Sequence, residues 1–241
     1  MKWETQHRFV LSRAKRRFLA LTPPQALLLS YVILILAGTL LLKLPAAGNQ
    51  PTSWMQALFT AVSAATVTGL TVVDTGTHFS LFGHLVLMMM MMQFGGLGLM
   101  TFGVFFIHLS SNRLSLRHRA VLSEALNQAG QSDMRRILRW MFGFTLCMEL
   151  LGAALLALQW VPEKGLLTGL LYSFFHSISA YNNAGFGLAA DNLSSYVANP
   201  LINLVIPFLL ISGGIGFVVI VDLFRTRRFR EYALNMPCTP S

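Results

Sequence analysis

Two short segments carry residue types that could strip and hold a bare cation. Thr66-Val67-Thr68-Gly69-Leu70 is followed, 116 residues later, by Asn182-Asn183-Ala184-Gly185-Phe186. Each places small, β-branched or amide side chains before a single glycine. The chemistry would come from backbone carbonyls. A potassium ion entering a bilayer must shed water, and a row of carbonyls replaces the lost oxygens without adding charge. Such a row needs extended backbone, and glycine reaches conformations that turn a carbonyl inward. Non-helical backbone at membrane depth is tolerated only where it lines a cavity or is buried in protein. For either segment alone, the competing explanation is a glycine that merely ends a short helix. Repetition weighs against that. Phe59 to Leu70 reads FTAVSAATVTGL and Phe175 to Phe186 reads FHSISAYNNAGF, sharing the initial Phe, a central Ser-Ala, and a glycine followed by an apolar residue.

The elements that must position these loops can be read from hydropathy. The chain is 54% hydrophobic and only 11% charged. A soluble domain of this size needs more charged surface, so the composition points to an all-α integral membrane protein. A bilayer core needs about 20 apolar residues per helix, and four segments qualify, roughly 24–42, 82–109, 137–161 and 200–224. Two apolar stretches, about 54–66 and 167–181, are too short to cross and precede the glycine loops. The expected unit is therefore span, half-span pore helix, loop, span, present twice in parallel (23–110 and 137–224). The C-terminal end of each short helix carries partial negative charge and favours a cation near the loop. Pro23 and Pro24 suit the first turn of a helix.

The formal charge of +9 invites a nucleic-acid reading, but its placement excludes it. Of 18 Lys and Arg residues, all but Lys43 and Lys164 fall before the first span, between the second and third or in the first turn of the third, or after the fourth. That is the positive-inside pattern for a multi-pass chain with both termini cytoplasmic. It delimits a basic N-terminus (1–22), a basic linker (111–136) and a tail (225–241). Leu122, Ala125, Leu126 and Ala129 recur in the linker at helical spacing, which suits a membrane surface or a partner. Trp54, Trp140 and Trp160 fall at predicted span boundaries. Cys147 and Cys238 are far apart and imply no disulfide framework. The first apolar run is longer than a signal-peptide core and is read as an uncleaved helix.

A second match supports the internal repeat. Gly95-Gly96-Leu97-Gly98 returns as Gly213-Gly214-Ile215-Gly216, 118 residues on. Internal repeats are common in transporters and channels. Gly95, Gly96, Gly98 and their counterparts Gly213, Gly214 and Gly216 are read as sites of close packing against the loops, with hinges as the alternative.

These residues carry a family resemblance. The run Ala64 to Leu70 with Asp74-Thr75, the run Gln93 to Gly98 with Met100-Thr101, and Phe175-His176-Ser177 through Phe186 resemble the Trk/Ktr/HKT superfamily of potassium transporters, most closely its KtrB-type membrane subunits. The resemblance covers about residues 20–224. It implies potassium uptake rather than catalysis, with K+ on the carbonyls of residues 66–70 and 182–186 and Na+ as a possible coupling ion. It further implies a multi-pass protein of the bacterial inner membrane, surrounded by lipid and dimeric. A cytoplasmic nucleotide-binding regulatory subunit of the KtrA/TrkA kind would control gating. The family pattern has four such units per polypeptide, of which this sequence holds two, so the chain is expected to be an N-terminal half. A frameshifted or truncated frame would account for the ending Leu234 to Ser241. The second expectation is a non-conducting membrane fragment or assembly partner.

Several other residues invite chemistry. Asp74 and Asp191 follow the loops. They could concentrate cations at the outer mouth or turn the loop backbone, and the two roles are compatible. Glu149 lies within the third span, where an acid usually faces a partner or cavity. An ion-path role competes with a hydrogen bond to a neighbouring helix, and the lack of an acid at the matching place in the first unit favours the latter. His176 and Ser179 stand at i, i+3. A nucleophilic dyad would need a third, orienting residue, and Thr60 and Ser63 at the matching positions favour shared packing. Met88 to Met92 point all around a helix, which favours flexible packing over a soft-metal site.

Overall fold

The computed structural model describes residues 23–94 and 131–215. Those residues are helical, and the only strand-like pairing among them is a single bridge between Gly48 and Phe79. Helix α1 is Pro23–Lys43, α2 Trp54–Ala65, α3 the short Thr75–His78, and α4 Leu81–Phe94. After the basic linker come α5 (Gln131–Lys164), α6 (Leu166–Tyr181), a 3-10 turn at Ser194–Tyr196, and α7 (Pro200–Ile215). Among the described residues, one helical stretch, Trp140–Lys164, is long and apolar enough to cross a membrane. Leu28–Lys43, Leu81–Met92 and Pro200–Ile215 are shorter apolar helices. Helix α5 begins within the linker, six residues before the span expected at 137, and the polar start Gln131-Ser132-Asp133 gives no apolar period by which to see it.

Local sequence accounts for the start of α2. Ser53 Oγ accepts from the Gln56 amide at 3.2 Å while Gln56 Oε1 accepts from the Ser53 amide at 2.8 Å. This reciprocal cap satisfies two donors that the first helical turn leaves open, and such caps contribute about 1 kcal/mol. At twelve residues α2 is roughly 18 Å long, well short of a bilayer core. It buries its small face, Ala57, Thr60, Ala61, Ser63, Ala64 and Ala65. Small residues let helices approach closely where apolar burial gives no drive, as in lipid.

One core joins α1, α2 and α4 through Leu42, Ala61, Leu87, Met90 and Met91, and it extends to Phe175, Ala184, Phe186 and Leu188. The second packs α5, α6 and α7 through Leu156, Trp160, Tyr181, Ile202 and Leu209. The first core thus crosses into the second half of the chain at the loop after α6. Met88, Met90 and Met91 are buried in it, and a Cβ on Gly38 would lie 2.4 Å from the Met90 sulfur. Met89, in the same run, is exposed.

Candidate functional site

The two glycine loops have the same backbone. Helix α2 ends on Thr66 (φ −90°, ψ 2°) and α6 on Asn182 (φ −82°, ψ 3°). The next residues, Val67 and Asn183, have φ of 57° and 58°, and both glycines, Gly69 and Gly185, have φ of 74°. The hydrogen bonds repeat at the same offset. Thr66 N, Val67 N and Thr68 N donate to the carbonyls of Val62, Ala64 and Ser63. Asn182 N, Asn183 N and Ala184 N donate to those of Ile178, Ala180 and Ser179. A chain that turns left-handed twice within three residues cannot continue the helix, so the carbonyls beyond lack helical partners. Here the glycine φ is a requirement of the turn.

The loops meet at their glycines. A Cβ on Gly69 would sit 2.5 Å from the Ala184 carbonyl oxygen, and one on Gly185 3.6 Å from the Gly69 Cα. Helix α7 closes the second loop from behind. A Cβ on Gly213 would fall 1.7 Å from the Tyr181 carbonyl oxygen. With its amide oriented to satisfy both ends, Asn183 donates to the Leu210 carbonyl and accepts from the Gly214 amide, both at 3.3 Å. Gly95, Gly96, Gly98 and Gly216 lie outside the described residues, as do the basic N-terminus and most of the linker.

The return of the second loop is tied back to α6. Ser179 Oγ donates to the Phe186 carbonyl at 2.7 Å, and Tyr172 Oη to the Leu188 carbonyl at 3.1 Å. The Leu188 amide donates to His176 Nε2 at 3.4 Å, and His176 Nδ1 donates to the Tyr172 carbonyl at 2.8 Å. His176 is neutral in this arrangement, with its proton on Nδ1. It is buried among Trp160, Tyr172 and Phe175. His176 and Ser179 are thus spent separately on loop backbone, which leaves no nucleophile–base pair. Sequence reasoning placed both residues but missed this tie, because the loop return that they grip is remote from helix periodicity.

The two aspartates cap turns. Asp74 accepts from the Gly76 amide at 3.0 Å and from Thr77 Oγ1 at 2.9 Å, starting α3. Asp191 accepts from the Ser195 amide at 3.0 Å and from the Ser195 hydroxyl. That hydroxyl bond is the main reason its carboxyl is held below the usual aspartate range. Asp191 therefore stays ionised on an exposed loop. Glu149 is buried, and its Oε1 accepts from Asn182 Nδ2 at 2.8 Å. Of the two possibilities for this acid, the geometry shows the hydrogen bond to a neighbouring element. Two lysines lie over aromatic rings. Lys43 lies over the Trp54 ring and Lys164 over that of Tyr172, at 5.6 and 4.9 Å.

A comparison with protein families matches residues 5–236 to the TrkH model, described as a cation transport protein. The chain belongs to the TrkH family. It is similar to the Ktr system potassium uptake protein B of Bacillus subtilis (strain 168), 46% identical over 219 residues, which are 91% of this chain and 49% of that protein. It is equally similar to the protein of that name from Vibrio alginolyticus, 46% identical over 202 residues, 84% of this chain and 44% of that protein. The Potassium/sodium uptake protein NtpJ of Enterococcus hirae is 35% identical over 217 residues, 89% of this chain and 48% of that protein. The chain therefore spans about half the length of the curated relatives it matches. The TrkH match includes both glycine loops and all of the described helices.

Proposed function

We propose that this chain supplies two units of a potassium-uptake pore, each a membrane span, a half-span pore helix, a carbonyl loop and a second span. K+ is held by the carbonyls of residues 66–70 and 182–186. The observation that carries this reading is the recurrence, at an offset of 116 residues, of the same left-handed turn before the same glycine, with the two glycines in mutual contact. Two loops give half the oxygens that a fourfold site requires. Conduction therefore needs a complement, from a second copy or from a further segment, and without it the chain is a non-conducting assembly partner. Exposure supports the need for a neighbour. Leu70 and Val72 of the first loop are 59% and 51% exposed, whereas Phe186 and Leu188 are each 2% exposed. Relatives named for potassium and for potassium/sodium uptake support K+ as cargo. The placement of basic residues supports cytoplasmic termini in a bacterial inner membrane, where a nucleotide-binding regulatory subunit would dock.

The test is ion competition. In a potassium-uptake-deficient bacterium, the chain together with its complement restores growth at low potassium. Gly69→Ser weakens discrimination of rubidium uptake against sodium by about tenfold, because one ring of carbonyls is misaligned. Unchanged selectivity at normal membrane levels of the variant sinks the carbonyl assignment. Growth restored by the chain alone favours a second copy as the complement, and insertion without growth favours the assembly-partner reading.

A further inference from the structure

The buried acid Glu149 plays no part in carbonyl coordination, yet α5 turns it toward the start of the second loop. Three contacts link the middle of α5 to the end of α6. Thr145 Oγ1 pairs with Tyr181 Oη at 3.3 Å. The Glu149 main-chain carbonyl accepts from Ser177 Oγ at 2.7 Å. The Glu149 carboxylate accepts from Asn182 Nδ2, which also donates to the Ile178 carbonyl at 2.9 Å. Asn182 is the residue on which α6 ends and from which the loop departs. The first loop is closed differently. Thr66 Oγ1 donates to the Val62 carbonyl at 2.8 Å and pairs with Thr68 Oγ1 at 2.6 Å, so its ties are internal. Helix α1, which precedes the first loop as α5 precedes the second, carries no acid along its length. An acid inside a membrane protein is costly to keep, and its usual justification is a specific partner. Here the partner is the hinge point of one loop, and among the described residues the matching loop has no such side-chain partner.

We propose that Glu149 is a positioning residue: through Asn182 it holds residues 182–188 in the conformation whose carbonyls receive a dehydrated potassium ion. This rests on the carbonyl reading above. It makes the pore asymmetric, with one loop closed on itself and the other clamped from a membrane helix by a buried carboxylate.

Hydrogen exchange of the detergent-purified pore, the chain assembled with its complement, in potassium chloride and in sodium chloride, tests this. Amides of residues 182–188 exchange more slowly in potassium. Glu149→Leu speeds their exchange severalfold to about tenfold, the effect of losing one buried hydrogen bond, and abolishes the potassium-over-sodium difference there. Residues 66–72 keep theirs. Glu149→Gln, whose amide oxygen still accepts from Asn182, restores both. A Glu149→Leu chain that keeps the ion difference at 182–188 overturns the proposal. A loss spread equally over 66–72 and 182–188 does the same, because that is what general loosening produces. If Glu149→Leu fails to fold, Glu149→Leu/Asn182→Leu removes both partners of this hydrogen bond together and is read in the same way. Wild-type protection that is the same in both salts overturns the carbonyl reading itself, whatever Glu149 does.

Discussion

The first and second glycine loops share one backbone and differ in almost everything that surrounds it. Their φ angles agree within a degree at Val67 and Asn183 and at Gly69 and Gly185. Behind the second loop, however, Asn182, Ala184 and Phe186 are buried, and behind the first, Thr66, Thr68 and Leu70 are exposed. Ser179 holds the Phe186 carbonyl, whereas the matching Ser63 Oγ is buried without a partner, as is Thr60 Oγ1 at the place of His176. Conformation is thus encoded locally, by a helix that gives way to a left-handed residue and then a glycine. Support is encoded by neighbours. The second loop leans on the first unit's core, and among the described residues the first loop has no equivalent unit to lean on.

Alanine at the two glycines probes this difference most strongly. Both substitutions force an L side chain into a left-handed φ, which costs about 1–2 kcal/mol. Only at Gly69 does the new methyl clash with backbone, the Ala184 carbonyl oxygen at 2.5 Å. At Gly185 the nearest atom, the Gly69 Cα, is at ordinary contact distance. Gly69→Ala is therefore expected to displace both loops and to cut rubidium uptake by the complemented pore about tenfold more than Gly185→Ala, about 1.4 kcal/mol further in transport terms. Equal losses would mean that the two loops do not touch in the working state.

The repeat was legible because both loops keep the same few small residues at one offset, and because apolar length separates the 12-residue α2 from the longer helices. Support was not legible. Glu149 and Asn182 are 33 residues apart, and Leu188 and His176 meet only because the loop doubles back. Neither spacing carries a period. The sequence also presents Asp74 and Asp191 as equivalents, and both do cap turns, but Asp74 opens a helix while Asp191 grips Ser195 ahead of a 3-10 turn. The early start of α5 was missed because it opens on the polar run Gln131-Ser132-Asp133, with only Met134 apolar before Ile137.

A smaller effect separates the two serines. Ser179→Ala strips the Phe186 carbonyl of its donor, and leaving a buried acceptor unmade costs about 1–3 kcal/mol, or nearer 0.6 kcal/mol where membrane helices find other partners. Ser63→Ala removes a hydroxyl that has no partner to lose. Thermal unfolding in detergent is expected to show Ser179→Ala lowering the midpoint and Ser63→Ala leaving it unchanged or raising it. If Ser63→Ala destabilises as much as Ser179→Ala, then the first loop also closes on its serine in solution, and the asymmetry of support disappears.

The smallest expected difference lies at the left-handed residues themselves. Asn tolerates φ near 58° because its short amide can bond locally, whereas a β-branched residue there is an outlier. Val67 nevertheless occupies that place in the first loop, with its side chain packed against the first core. Backbone strain of this kind is worth about 1–3 kcal/mol and persists where the surroundings impose it. Val67→Asn relieves the strain but gives up the packing, so a net gain of under about 1 kcal/mol is expected. Asn183→Val adds the strain and also removes the contacts to Leu210 and Gly214, so it is expected to cost more than Val67→Asn gains. Paired unfolding measurements on the two exchanges decide between local and tertiary control. A destabilised Val67→Asn would show that packing, not dihedral preference, selects valine. A stabilised but less selective Val67→Asn would show that the first loop needs its strain to hold carbonyls that no neighbouring helix clamps.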